Sequence, residues 1–242
     1  MSDELESLED FDDDLDLTLY ADQTELLQEV TTQLVEILET GLRVNGIFHL
    51  ALTGGTLGSD LTRALVTHWN AHPEMYQGLH IWWSDERFVE RSSTEQNSSP
   101  ARGTVTNENV TIHTLSASDE VKDIDVAVED YLAQLGENFM DLTILGLGPD
   151  GHIASLFPGA AHIDRLEKVI AITDSPKPPA IRATFTLSMI NASTLVWIIA
   201  AGASKADAVT KIIEGDLSIP ASYVRAADHT RLIADTDAFF TE

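Results

Sequence analysis

The chain has 242 residues, 43% of them apolar, and carries 40 Asp and Glu against 14 Lys and Arg, a formal net charge of −26. So acidic a surface repels phosphodiester backbones and anionic lipid, which argues against nucleic acid and membrane surfaces as partners. Cys is absent, which excludes disulfides, thiolate metal sites and cysteine nucleophiles and fits a reducing cytosol.

Residues 1–16 hold nine acids and no base, which reads as a solvated, flexible tail and not as a secretory signal. The expected domain is then one unit over 17–242. No stretch reaches the roughly 18–20 apolar residues needed to span a bilayer. From 22 to 42 apolar residues recur at helical spacing (Leu26, Leu27, Val30, Leu34, Ile37, Leu38), and Asn45-Gly46 closes that helix. Residues 47–52 read as a buried strand, 57–70 as a helix, and 79–83 as a strand. A polar loop follows over 90–109, then a strand over 110–115 and a helix over 121–135. Strands are expected at 141–147, 168–173 and 194–200, a helix at 203–213, and a last strand at 231–234. Strands alternate with helices, and most are continuous apolar runs. That is the pattern of a doubly wound α/β fold, a mostly parallel sheet covered by helices on both faces. Ligands of such sheets bind beyond the carboxyl ends of the strands, so chemistry is sought there.

Four strand ends carry polar groups. Leu50-Ala51-Leu52-Thr53-Gly54-Gly55-Thr56 ends a strand in two glycines and a hydroxyl before a helix, an anion cradle of backbone N–H groups and hydroxyls. Trp82-Trp83-Ser84-Asp85-Glu86-Arg87 places Arg87, suited to phosphate or carboxylate, and Asp85, suited to a sugar hydroxyl, directly after a strand. The Trp pair reads as core. The run 146–159 opens as Gly146-Leu147-Gly148-Pro149-Asp150-Gly151, a formal dinucleotide fingerprint. Context defeats that reading, since Pro149 lacks an N–H and Pro158 cuts short the helix a dinucleotide would need. What remains is a tight turn displaying His152 beside Asp150, and a neutral imidazole is a good general base near pH 7. Lys205, after Ala201-Gly202-Ala203-Ser204, opens a helix where the dipole disfavours a cation unless an anion is bound, and Arg182 adds a further cation. His68 and His72 stand at i, i+4, but no carboxylate in sequence completes a metal set. The residues alone point to an enzyme acting on a small phosphorylated anion.

Leu52-Thr53-Gly54-Gly55-Thr56, residues 83–89, residues 145–159, Pro179-Ala180-Ile181-Arg182 and Gly202-Ala203-Ser204-Lys205 resemble the 6-phosphogluconolactonase family in order and spacing, over roughly 20–240. The resemblance implies hydrolysis of 6-phospho-D-glucono-1,5-lactone to 6-phosphogluconate, in the oxidative pentose phosphate pathway, by a cytoplasmic monomer or weak homodimer without metal or cofactor. It makes His152 the base that activates water and Asp150 the acid that shapes the turn. Thr53, Gly54, Gly55, Thr56, Asp85, Arg87, Gly151, Arg182 and Lys205 become the substrate and phosphate contacts. Thr53 departs from the family's usual serine, and Gly58 stands where proline is common. The rival branch, glucosamine-6-phosphate deaminase/isomerase, resembles Gly-His-Ile-Ala-Phe-Asn-Glu-Pro, whereas Ser155-Leu156-Phe157-Pro158 here carries no Glu. A non-catalytic sugar-phosphate sensor on the same fold would have no need of His152.

Overall fold

A computed structural model describes residues 15–239 of the chain. In chain order the elements are β1 (Leu15–Tyr20), α1 (Gln23–Asn45), β2 (Phe48–Leu52), α2 (Gly55–Ala71), β3 (Leu79–Trp83), β4 (Asp85–Arg87), β5 (Val110–Ile112), α3 (Ile124–Leu135), β6 (Leu142–Gly146), β7 (Val169–Ile172), β8 (Arg182–Phe185), α4 (Leu187–Asn191), β9 (Leu195–Ala200), α5 (Ala206–Ile213), β10 (His229–Asp235) and α6 (Thr236–Phe239). Seven strands build one sheet in the order β1-β10-β9-β6-β2-β3-β5, each neighbouring pair parallel. The other three make a small antiparallel sheet, β4-β8-β7.

The pleat sorts the core into two layers. Leu50 and Leu52 of β2 face α1 and α2, whose Leu26, Val30, Leu34, Leu38, Leu61, Leu65 and Trp69 are buried against them. Ala51, Leu145, Val196 and Ile198 face the opposite layer, built from α3, α5 and the small sheet. Each fully buried aliphatic side chain contributes about 1.5–3 kcal/mol, so the period-3.6 stripe of α1 is enough to dock it. Its start is fixed by Asp22, whose carboxylate accepts from the N–H groups of Thr24 (2.8 Å) and Glu25 (2.9 Å). Gly46, at φ 75°, ends it.

From β2 the chain winds one way through β3 to β5 and later the other way through β6, β9 and β10. The order therefore reverses between β2 and β6, and the crevice of a doubly wound sheet opens beyond their carboxyl ends. Trp82 and Trp83 are core, as read from sequence. Two expectations change. Residues 168–173 do form a strand, but β7 lies in the antiparallel sheet and not in the main one. Residues 15 and 16, assigned to the tail, begin β1, where the Asp16 carboxylate forms an ion pair with Arg231, Oδ2 to Nε 3.2 Å. The rest of that tail, residues 1–14, lies outside the described residues.

Candidate active site

The loop after β2 and the turn after β6 meet at the switch point. Thr53 Oγ1 accepts from the Gly146 N–H (3.1 Å), tying the two strand ends together. Gly54 precedes α2, which begins with no side-chain cap, so its first N–H groups remain available to an anion. A Cβ at Gly54 would stand 1.9 Å from Asn97 Oδ1, so only glycine lets the 93–99 segment approach. Asn97 in turn donates Nδ2 to the Asp85 carbonyl and to Asp85 Oδ1, both at 2.9 Å.

β4 and β8 then bring the arginines in. Their antiparallel register sets Arg87 opposite Arg182, a like-charge pair that is unfavourable on its own and calls for an anion between or beside the two. Arg182 is 4% exposed, and burial pushes its pKa down while Asp85 supports its charge. Its donors are already committed: Nε to Pro179 O (2.9 Å), Nη2 to Lys177 O (2.9 Å) and Pro178 O (3.0 Å), Nη1 to Ser155 Oγ (3.3 Å). Arg87 gives Nη1 to Glu95 O (2.8 Å), while its Nε is buried without a partner. A buried, unpaired guanidinium N–H at the rim of a cleft is a donor waiting for an acceptor. Asp85 accepts from Ser155 Oγ (2.8 Å) and Asn97 and lies 3.7 Å from Arg182, so its carboxylate braces the site's framework while also lining the cleft.

The turn after β6 is closed by Gly148 N–H to His152 O (2.8 Å) and Gly151 N–H to Gly148 O (2.9 Å). It delivers His152 Nδ1 to Asp150 Oδ1 at 2.5 Å. The ring stacks on Phe157, with centroids 4.8 Å apart, and is 17% exposed. Lys177 Nζ reaches Asp150 Oδ1 (3.1 Å) and stands 3.0 Å from Nδ1. Burial lowers the His152 pKa below the ordinary imidazole value, Asp150 opposes this, and Lys177 adds to it. Burial alone would raise the Asp150 pKa, but hydrogen bonds from His152 and Lys177 prevail and hold it at about 2. An ionised Asp150 fixes the proton on Nδ1, which leaves Nε2 as a lone-pair base; among the described residues Nε2 makes no hydrogen bond.

These groups line one cleft of about 260 Å³, including Thr53, Gly54, Gly55, Arg87, His152, Lys177, Arg182 and Lys205. It gathers four of the chain's 14 basic residues against the field of a −26 molecule. Lys205 stands directly before α5, as expected, and burial, then Lys177, pushes its pKa down. Thr56 lines an adjoining hollow that shares Gly54, Gly55 and Lys205 with the cleft. Gly151 sits behind the turn, its carbonyl accepting from Ala221 N–H (3.2 Å). Sequence reasoning missed Lys177, Asn97 and Glu86. Only Lys177 left a signal, as a base two residues before the Pro179-Ala180-Ile181-Arg182 run already noted. Among the described residues no group of three or more His, Cys, Asp or Glu is arranged to hold a metal.

Residues 21–233 match the family described as glucosamine-6-phosphate isomerases/6-phosphogluconolactonase. The chain belongs to this family. It is 33% identical over 240 residues to the 6-phosphogluconolactonase of Mycobacterium tuberculosis, covering 92% of this chain and 96% of that one. The rat (Rattus norvegicus) 6-phosphogluconolactonase is 36% identical over 191 residues, 74% of each chain. The solved 6-phosphogluconolactonase structure from Thermotoga maritima superposes with a TM-score of 0.78 at 25% identity, over 92% of this chain and all (100%) of that one. Phe157, where the sequence reading sought the glutamate of the rival branch, packs its ring on the His152 imidazole.

Proposed function

We propose that this chain hydrolyses 6-phospho-D-glucono-1,5-lactone to 6-phosphogluconate, with His152 as the general base. The observation that carries the reading is the His152–Asp150 pair at 2.5 Å, facing a cleft lined by four cations. The substrate's phosphate lies against the open start of α2 and Lys205, where N–H groups and an ammonium converge. Nε2 takes a proton from water as the water oxygen attacks C1. Negative charge moves onto the carbonyl oxygen, and Arg87 is the group with a free donor to stabilise it. On collapse the C1–ring-oxygen bond breaks and the imidazolium returns the proton to that oxygen, leaving a hydroxyl and a carboxylic acid, which loses its own proton to solvent at neutral pH. Asp150 keeps the proton-bearing nitrogen turned away from the substrate throughout, the orienting task of an acid behind a histidine base. Arg182, Asp85 and Ser155 hold the framework.

The test is a spectrophotometric assay on fresh lactone, corrected for spontaneous opening. Enzymatic opening of the phosphorylated lactone is expected, with little on the phosphate-free lactone; no acceleration of the former would overturn the reading. His152→Ala should lower kcat by about 10²–10⁴, the usual worth of a positioned base, while 6-phosphogluconate still binds. Turnover at the parent rate would remove His152 from the mechanism.

A further inference from the structure

We propose that Lys177 is a positioning residue for this reaction: its ammonium locks the Asp150 carboxylate onto His152 and holds the imidazole in the neutral form that can act as a base. The proposal rests on the reading of His152 as that base.

Three groups meet within hydrogen-bond distance: Lys177 Nζ, Asp150 Oδ1 and His152 Nδ1. Nδ1 offers one bond in the ring plane, so it either donates to Asp150 or accepts from Lys177. Were it to accept, the ring proton would sit on Nε2, and no lone pair would face the substrate. Asp150 Oδ1 is within reach of both donors, and an ionised oxygen accepting from two N–H groups is the better-paired arrangement. Lys177 therefore donates to Asp150, Nδ1–H does the same, and Nε2 keeps its lone pair. The same geometry leaves a positive charge 3.0 Å from the ring. Asp150 alone would favour a second proton on the imidazole; the ammonium opposes it.

The ammonium is not on a loose tether. Arg182 Nη2 donates to the Lys177 carbonyl (2.9 Å), as does Ser175 Oγ (2.9 Å), so the backbone of this residue is clamped from two sides. His152 is faced by Asp150 on its own turn, Lys177 on the 173–181 segment and Asp85 on β4, with Arg87, Arg182 and Lys205 lining the same cleft. Of these cations, Lys177 is the one within hydrogen-bond distance of the ring. His152 remains less basic than an ordinary histidine although a carboxylate touches it, through burial and then against Asp150 with Lys177's help.

The decisive readout is the acidic limb of the pH profile of kcat/KM, which reports the base in the free enzyme. Lys177→Met should move that limb up by about one pH unit, the effect of removing a like charge at this range, and Lys177→Arg should restore most of it. Because the chain has no Cys, Lys177→Cys can be alkylated with 2-bromoethylamine at that position alone. The thiol form should show the raised limb, and the aminoethylated form should return toward the parent. A limb that stays in place in Lys177→Met overturns the proposal, including the case in which only KM rises, which would mark a phosphate contact. Should Lys177→Met not fold, the unaltered chain decides: the His152 ring proton, assigned by its loss in His152→Ala, must titrate below about 6.5, and titration above that overturns the proposal. The two readings fail separately. An inactive His152→Ala with an unmoved limb in Lys177→Met removes only the role of Lys177, whereas a fully active His152→Ala removes both.

Discussion

A base is useful only in one orientation, and at the residue scale Gly148 sets it. A Cβ there would stand 1.8 Å from His152 Nδ1 and 2.6 Å from Asp150 Oδ1, in the middle of the pair. Alanine must therefore swing the ring or open the turn. Gly148→Ala is expected to cut kcat by about 100-fold or more, since displacements near 1 Å at a reacting group cost that much. The Gly148–His152 turn lies at the edge of the core, so Tm should change by only a few degrees. Near-parent kcat would mean that the turn accommodates the methyl and that its tightness does not orient the base. His152 and Asp150 were legible because the turn packs them into one contiguous run. Lys177 was not, since its meaning lies in a contact with Asp150 across 27 positions. The bonds of Asp85 were illegible for a related reason: an acid at a strand end looks free until Ser155, Asn97 and Arg182 are found around it.

At the scale of elements, the three-residue strand β4 carries more of the site than its length suggests. Glu86, at its centre and 3% exposed, accepts from the N–H groups of Arg87 (2.7 Å), Asn97 (2.6 Å) and Ser98 (2.9 Å). Burial pushes its carboxyl pKa up, and these bonds oppose that shift without cancelling it. The side chain thus staples the 93–99 segment to β4 and, through Asn97, to the glycine loop. Glu86→Ala strands three N–H groups at about 1 kcal/mol or more each, so a loss of about 3 kcal/mol and a Tm lower by on the order of 10 °C is expected. Glu86→Gln keeps one acceptor oxygen and should lose about half as much. A Tm unchanged in both variants would show that the segment is held by its own turns. No periodicity announces such a strand, because three residues are too few to show one and its partner β8 lies far along the chain. The long apolar strands β2, β3, β6 and β9 were legible for the opposite reason, being buried on both faces. β7 shares that apolar look while pairing antiparallel, and the acids of β1 disguised an edge strand whose Leu15, Leu17 and Leu19 alternate with Asp16 and Thr18.

For the whole molecule, an acid-sensitive part of stability also sits away from the cleft. His49 on β2, His80 on β3 and His113 after β5 stack in series, with ring centroids 4.8 Å and 5.2 Å apart, and Trp82 lies flat on His113 at 3.7 Å. His80 Nδ1 and His113 Nε2 share one hydrogen bond (2.9 Å), and Trp82 Nε1 donates to His49 Nδ1 (3.1 Å). Burial pushes all three pKa values down, and for His113 burial together with its neighbour His80 brings it to about 4. Asp141 opposes the shift at His49 and Gln134 that at His113. The unfolded chain takes up these protons near pH 6.5 while the folded chain does not until well below, so it binds more protons between about 4 and 6.5 and stability falls as the pH drops through that window. Net charge acts the other way, since protonating carboxylates relieves the repulsion of a −26 chain. Between pH 7 and 5, however, ordinary carboxylates stay largely ionised, so that window isolates the histidines. Tm should fall from pH 7 to 5, and the stability slope below pH 6 should be shallower in His113→Gln by up to about 1.4 kcal/mol per pH unit, an upper bound because the ring is only half-buried and partly screened. The variant starts lower at pH 7, having lost the stack on Trp82, so the slope and not the absolute Tm is the measurement. Parallel slopes in parent and variant would place the acid sensitivity elsewhere in the molecule.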